Sequence, residues 1–106
     1  MDGLIIEPLE VHKLMQAGER FLLLDCREPW EYQTARIEGA TLIPMREIQQ
    51  KVDEIPKDRP VVVYCHAGIR SFNAASWLKQ QGINALSMSG GIDQWSREID
   101  PKVPRY

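Results

Sequence analysis

A cysteine at the end of an apolar run is the clearest candidate for a reactive side chain in this sequence. In the segment VVVYCHAGIRS, residues 61–71, β-branched residues lead into Cys65, then into a short loop that contains Gly68, and then to Arg70. This order predicts a buried strand, a tight loop and the first turn of a helix. Because the first-turn amides of a helix have no partner within it, such a loop favours an anion. We therefore predict that Cys65 is a nucleophile held as a thiolate.

The loop after Cys65 supplies several groups that favour the charged form of the thiol. Gly68 allows the chain to turn without a Cβ clash, and Arg70 adds a cation with a fork of donors. Together these groups predict that the pKa of Cys65 is depressed. His66 is expected to contribute its N–H rather than to act as a proton donor, because its side chain is predicted to point outward. The predicted anion-binding loop consists of His66, Ala67, Gly68, Ile69 and Arg70.

A buried structural thiol is the simplest alternative, since free cysteines often fill space at the ends of strands. Gly68, Arg70 and the following helix favour the reactive interpretation. Protein tyrosine phosphatases place one residue more between the cysteine and the arginine of their loop, whereas four residues separate Cys65 from Arg70 here. The tighter ring suits a single sulfur atom attached to the cysteine. A cysteine-dependent phosphatase or arsenate reductase is therefore the less favoured chemistry.

Length and composition restrict the kinds of protein that this chain can be. Its 106 residues suit one domain, over 1–106, and 43% hydrophobic with 26% charged residues is ordinary for a globular protein. A net charge of −2 gives no sign of a surface for nucleic acid or membrane. The two cysteines lie 39 positions apart and form neither a disulfide framework nor, with two histidines, a metal set. We expect no bound metal and a reducing, cytoplasmic location, because neither a secretion signal nor a membrane span is apparent.

Turn signals divide the chain into alternating strands and helices. Strands are predicted at 21–25, 40–44, 60–65 and 85–89. Helices are predicted around Leu9–Met15, at 28–35, 45–53 and 69–81, and from 90 onward. This alternation predicts an α/β fold with a mostly parallel central sheet of four to five strands and helices on both faces. Ligands of such sheets bind beyond the carboxyl ends of the strands, which is where Cys65 is placed.

The chain resembles a single-domain rhodanese, a sulfurtransferase, over nearly its full length. LLLDCREPWEYQTARIEGATLIP, residues 22–44, resembles the family segment in which a strand ends in Asp-x-Arg, followed by Glu-x-x-Glu-Tyr and then Gly-Ala. VVVYCHAGIRS resembles the active-site loop of the family, and GGIDQW, residues 90–95, resembles its Gly-Gly-x-x-x-Trp. The resemblance implies the three-layer rhodanese-like fold.

The reaction that this resemblance implies is a double displacement at Cys65. The thiolate attacks the outer sulfur of thiosulfate or a related donor, releases sulfite and becomes a persulfide. An acceptor such as cyanide, a thiol or a protein cysteine then takes that sulfur. The amides of 66–70 would hold the persulfide charge and Arg70 would attract the oxyanion end of the donor, with no metal or organic cofactor.

The segment that follows the first buried strand is expected to have a supporting role. Asp25 is interpreted as a carboxylate that ties loops together by hydrogen bonds rather than as a catalytic acid, and Arg27 as a structural ion-pair partner rather than a substrate ligand. Between them stands Cys26, where the family commonly has an aliphatic residue. Because the two cysteines follow strands that are expected to be close, a disulfide between Cys26 and Cys65 under oxidation is a further hypothesis, although the geometry for bridging is narrow.

Partners other than small donors and acceptors are indicated only by the tail. GGIDQWSREIDPKVPRY, residues 90–106, resembles the rhodanese modules attached to adenylyltransferases that activate ubiquitin-like sulfur carriers. The hypothesis that follows is a sulfur-carrier protein as acceptor. A rhodanese-like interaction module without activity is the remaining alternative, and the intact Cys65 counts against it.

Overall fold

A fully parallel sheet of five strands lies at the centre of the computed structural model, which describes residues 3–106. The strands are β1 (Ile5–Ile6), β2 (Leu22–Asp25), β3 (Thr41–Leu42), β4 (Val61–Tyr64) and β5 (Ala85–Met88), in the order β1-β5-β4-β2-β3. The α-helices are α1 (Pro8–Gln16), α2 (Pro29–Thr34), α3 (Ile69–Gln80) and α4 (Gly91–Glu98). None of these helices is long and apolar enough to cross a membrane. The predicted α/β fold with a mostly parallel sheet is confirmed.

The central strand β4 is buried on both faces. Val61 and Val63 belong to a core that includes residues of α3, whereas Val62 and Tyr64 belong to a second core that includes residues of α1 and α4. Side chains of a strand alternate between its two faces, so a continuous apolar run is what a strand covered on both sides requires. Helices therefore cover both faces of the sheet, as predicted.

The prediction of a helix at 45–53 is wrong. The chain forms two short 3-10 turns in its place, Met45–Glu47 and Val52–Glu54. Two apolar side chains of this segment, Ile48 and Ile55, are each only 3% exposed and pack into the core on the α3 side of the sheet. Burial of these side chains overrides the weak helical preference of the residues between them.

The edge strand β1 is absent from the prediction. It pairs in parallel with β5, with Ile5 opposite Ser87 and Ile6 opposite Met88. Two residues are too few to show the alternation that identifies a strand in a sequence. The five strands lie within the predicted four to five, but the sequence pattern does not locate β1.

The start of α4 packs directly against the loop that follows β4. The Ile92 amide donates to the Cys65 carbonyl oxygen at 2.9 Å, and the next amide of the helix donates to the His66 carbonyl oxygen at 3.1 Å. Gly91 makes this approach possible, because a Cβ there would lie 2.4 Å from the His66 carbonyl oxygen and the backbone has φ +60°. The Gly-Gly pair at 90–91 therefore fixes the backbone position of the loop.

Replacing Gly91 by alanine is expected to destabilise the protein by about 2–5 kcal/mol, from a left-handed backbone and an overlap with backbone atoms. Gly18 is a matched control, because it has φ +70° and a Cβ there would meet nothing within 4 Å. Urea unfolding of Gly91→Ala and Gly18→Ala measures the difference. Equal losses of stability would show that the packing of α4 on the loop contributes nothing.

Candidate active site

Cys65 lies at the carboxyl end of β4, where the chain turns into α3. Gly68 caps this helix with φ +105°. Cys65 Sγ accepts the Gly68 amide at 3.1 Å and the Ser71 amide at 3.3 Å. These amides belong to the cap and the first turn of α3, where no intrahelical acceptor is available to them. Because Cys65 is only 1% exposed, the two amides surround a sulfur atom that is almost fully removed from solvent.

Ser71 is a further donor beside Cys65 that the predicted loop, 66–70, leaves out. Its hydroxyl lies 3.4 Å from Cys65 Sγ and 2.8 Å from the hydroxyl of Ser87 on β5. Within the predicted loop, Gly68 is the residue whose amide donates to this sulfur. The sequence does hold a signal for Ser71, because it is the third residue of the predicted helix and its amide lies in the first turn.

Cys26 occupies the position beside Cys65 on the neighbouring strand. Asp25 and Tyr64 are register partners in β2 and β4, and each cysteine is the next residue along its strand. The Cys26 amide donates to the Tyr64 carbonyl oxygen at 3.1 Å, and the Cys26 thiol lies 3.5 Å from the same oxygen. Both cysteines are free and 1% exposed. The fold therefore brings the two thiols of the chain together at one end of the sheet.

The surroundings of the two thiols assign the negative charge to Cys65. The hydrogen bond from Cys26, followed by those from the Ser71 hydroxyl, the Ser71 amide and the Gly68 amide, lowers the pKa of Cys65 against the opposing effect of burial. The same contact with Cys65, together with burial, raises the pKa of Cys26. Cys26 is therefore the protonated thiol of the pair, and Cys65 is the thiolate.

Arg70 is paired with a carboxylate. Its guanidinium donates to both carboxylate oxygens of Glu31 in α2, at 2.7 and 2.8 Å. The Arg70 hydrogen bonds lower the pKa of Glu31 to about 2, so this carboxylate is ionised at neutral pH. The groups that contact the Cys65 sulfur are hydroxyl, thiol and amide donors, and the proposed role of Arg70 toward a donor stays a prediction.

Asp25 and Arg27 form a fully buried ion pair next to the site. Asp25 Oδ1 accepts the Arg27 amide and Nε, at 3.0 and 2.9 Å, and Oδ2 accepts Nη2 at 2.7 Å. Oδ2 also accepts the Tyr64 hydroxyl at 2.9 Å, and Arg27 reaches the Ala35 carbonyl oxygen at 2.6 Å. The pair thus connects the ends of β2 and β4 with the residue that follows α2. This placement agrees with a supporting role.

His66 packs against the tail of the chain. Its ring lies 4.4 Å from the ring of Tyr106, and its Nδ1 atom is buried without a hydrogen-bond partner. The expectation that its side chain points outward is therefore wrong, because residues 99–106 return across the loop. Of the other loop side chains, Ala67 and Ile69 are exposed, Ile69 by 75%.

Residues 3–106 contain no group of three or more histidine, cysteine, aspartate or glutamate side chains that could hold a metal ion. The site is instead a buried sulfur atom within a ring of donors. Such an arrangement can stabilise a thiolate, or a sulfur atom that carries the same charge after a group has been attached to it.

Comparison with known protein families shows which family this chain resembles. A family model described as the rhodanese-like domain matches residues 7–98. The chain belongs to the rhodanese-like family. The resemblance stated from the sequence is confirmed.

Relatives of this rhodanese-like domain include separate sulfurtransferases and longer proteins. A protein named sulfurtransferase from Allochromatium vinosum is 45% identical over 86 residues, which cover 80% of each chain. The putative sulfurtransferase YtwF from Bacillus subtilis is 34% identical and covers 83% of this chain and 85% of that protein. The probable adenylyltransferase/sulfurtransferase MoeZ from Mycobacterium tuberculosis is 34% identical over 98% of this chain, which spans only 27% of MoeZ.

Solved structures share the same fold. The rhodanese-related protein from Thermoplasma volcanium superposes with a TM-score of 0.85 at 30% identity, over 97% of this chain and 99% of that one. A rhodanese-like domain protein from Staphylococcus aureus reaches the same TM-score, 0.85, at 24% identity and supports the fold alone.

Replacing Cys26 by alanine is expected to raise the pKa of Cys65, because it removes the thiol that donates to the Cys65 sulfur. The ultraviolet absorbance of the thiolate, followed while the pH is lowered, measures this change. In the wild type the absorbance should persist well below the ordinary thiol pKa of about 8.5. Cys26→Ser keeps a donor and should fall between the wild type and Cys26→Ala. Identical titrations of all three proteins would contradict the assignment.

Replacing Asp25 by asparagine is expected to destabilise the domain by about 3–5 kcal/mol, because it leaves the buried Arg27 guanidinium without its counter-charge. Asp58→Asn is the matched control, since Asp58 pairs with Arg59 and Arg20 on the exposed surface. This control should be nearly neutral, because exposed ion pairs contribute little to stability. Urea unfolding compares the two variants. If Asp25→Asn lowered the free energy of unfolding as little as Asp58→Asn does, the result would contradict the supporting role of Asp25.

Proposed function

We propose that this chain is a sulfurtransferase that carries a sulfane sulfur atom on Cys65 as a persulfide. The observation that carries the proposal is the enclosure of Cys65 Sγ by the Gly68 and Ser71 amides at the end of β4. Preorganised donors of this kind stabilise negative charge on a nucleophile and on the intermediate that it forms. The relatives from A. vinosum and B. subtilis, which are named sulfurtransferases, support the same chemistry.

In the first half of the proposed reaction, the Cys65 thiolate attacks the outer sulfur of thiosulfate or a related donor. A bond forms between Cys65 Sγ and that sulfur, and the sulfur–sulfur bond of the donor breaks. When thiosulfate is the donor, its bonding electron pair leaves with sulfite. The persulfide anion keeps one negative charge in the loop, so the donors that held the thiolate also hold the intermediate.

In the second half, the acceptor attacks the outer sulfur of the persulfide and Cys65 leaves as a thiolate. Cyanide becomes thiocyanate, and a thiol becomes a persulfide. The lowered pKa of Cys65 makes it a good leaving group, because thiols of low pKa leave faster in exchange at sulfur. The donors at Gly68 and Ser71 thus assist both halves of the cycle.

A sulfur-carrier protein is the acceptor that we propose. MoeZ and the maize protein MOCS3-2 both have names that combine adenylyltransferase and sulfurtransferase, and this chain aligns with them over 98% and 92% of its length. A reducing cytoplasm is the proposed location, because it keeps Cys26 and Cys65 as free thiols.

Incubation with thiosulfate, followed by measurement of the intact mass, tests the proposal. The wild type is expected to gain one sulfur atom, which cyanide then removes, whereas Cys65→Ser is expected to gain none. Cys26→Ala serves as a second control, because it should still gain the sulfur and so exclude attachment to the neighbouring thiol. Hydrolysis of an aryl phosphate without any gain of sulfur would identify a phosphatase instead, and a protein inert in both assays would indicate an interaction module.

A further inference from the structure

The charge that faces an incoming donor depends on one ion pair at the edge of the site. Arg70 and Glu31 are joined by two parallel hydrogen bonds, at 2.7 and 2.8 Å. The Arg70 side chain is 38% exposed, whereas that of Glu31 is 5% exposed. Arg70 directly precedes Ser71, whose amide donates to Cys65 Sγ, so the ion pair is anchored in the first turn of α3 at the site. The ion pair therefore lies at the edge of the site, with the guanidinium partly open to solvent and the carboxylate buried.

Glu31 is held in place by more than Arg70. Its Oε1 accepts the Glu28 amide at 3.0 Å, and its Oε2 accepts the Tyr106 hydroxyl at 2.8 Å. The Tyr106 oxygen in turn accepts Arg27 Nη1 at 2.8 Å. A carboxylate that is nearly buried and fixed by several donors cannot follow Arg70 toward a ligand. If Arg70 turned away, Glu31 would keep an uncompensated charge in a buried position, which is strongly unfavourable.

This arrangement opposes a donor that brings its own negative charge. The outer sulfur of thiosulfate has to reach Cys65, which places the doubly charged remainder of the molecule at the edge of the site. There it meets the thiolate and the Glu31 carboxylate against the single cation of Arg70. The buried Arg27 offers no help, because it is already paired with Asp25. A persulfide, R–S–SH, presents the same outer sulfur without an oxyanion beside it.

We propose that Glu31 is a specificity-determining residue that neutralises Arg70 and directs this domain toward persulfide donors and away from thiosulfate. This inference rests on the proposed function, since it assumes that Cys65 accepts a sulfane sulfur, and it names the chemical class of the donor. In the step itself the Cys65 thiolate attacks the outer sulfur of R–S–SH, and the bond between the two donor sulfurs breaks. The electron pair leaves with the R–S sulfur, which takes the persulfide proton, so the donor leaves as R–SH and Cys65 carries the persulfide anion, Cys65–S–S⁻.

The test is the ratio of kcat/KM for thiosulfate to kcat/KM for glutathione persulfide, measured for the wild type and for Glu31→Gln. The wild type should load sulfur more efficiently from glutathione persulfide. In Glu31→Gln the ratio should rise about tenfold or more, mainly through a lower KM for thiosulfate. The reason is that the positive charge of Arg70, no longer balanced by Glu31, attracts the thiosulfate dianion. A change in the reactivity of Cys65 itself affects both donors and cancels in the ratio.

Glu28→Gln is the matched control. Glu28 and Glu31 form the two halves of the capping box of α2, and Glu28 pairs with Arg46 on the surface. Glutamine can keep the hydrogen bonds of the capping box in either position, so both variants remove one charge from the same turn. The control should leave the ratio within about twofold of the wild type. Thermal melting of both variants verifies that each is folded.

Three possible results test the role of Glu31 and distinguish it from sulfur transfer by Cys65. A ratio that rises in Glu31→Gln and not in Glu28→Gln supports the inference. A ratio that is unchanged in Glu31→Gln, or that rises equally in both variants, overturns it while sulfur transfer by Cys65 still stands. A wild type that gains no sulfur from either donor overturns the proposed function itself, together with the inference that rests on it.

Discussion

A negative charge on a sulfur atom that is almost fully buried is the constraint around which this domain is organised. Cys65 is 1% exposed, so solvent cannot stabilise its thiolate and the protein must supply every donor. The cap and first turn of α3 provide two amides and a hydroxyl, and the residue that follows β2 provides the Cys26 thiol. Helix α4 contributes indirectly, because its first amides hold the carbonyl oxygens of the loop in place. Groups from two elements far apart in sequence thus act on the sulfur atom, and a third element holds the loop around it.

A second set of charges surrounds the first and connects it to the tail. The buried pair of Asp25 and Arg27 is linked through the Tyr106 hydroxyl to Glu31, and Glu31 is linked to Arg70 at the edge of the site. Each member has its partner, as buried charged groups require. The tail is therefore part of the structure of the site, and the charge of Arg70 is balanced by a residue of α2 rather than by one of the loop.

Much of the fold and of the site around Cys65 could be predicted, because both depend on residue patterns that are local in the sequence. The apolar run of β4, the glycine at 68 and the helix after it indicate a reactive thiol at the end of a parallel strand. The two 3-10 turns near Ile48 could not be predicted, since core packing rather than local preference decides them. Strand β1 could not be predicted either, because its two residues are defined as a strand only by their pairing with β5.

The sequence by itself determined the α/β alternation, the position of Cys65 and the resemblance to rhodaneses, because each depends on residues that are neighbours in the chain. Only the tertiary structure decided which groups act on Cys65. The pairing of β2 with β4 places Cys26 beside Cys65. The packing of α2 against the loop brings Glu31 into an ion pair with Arg70. Contacts between residues 39 positions apart follow from strand order and helix packing, which a local pattern does not encode.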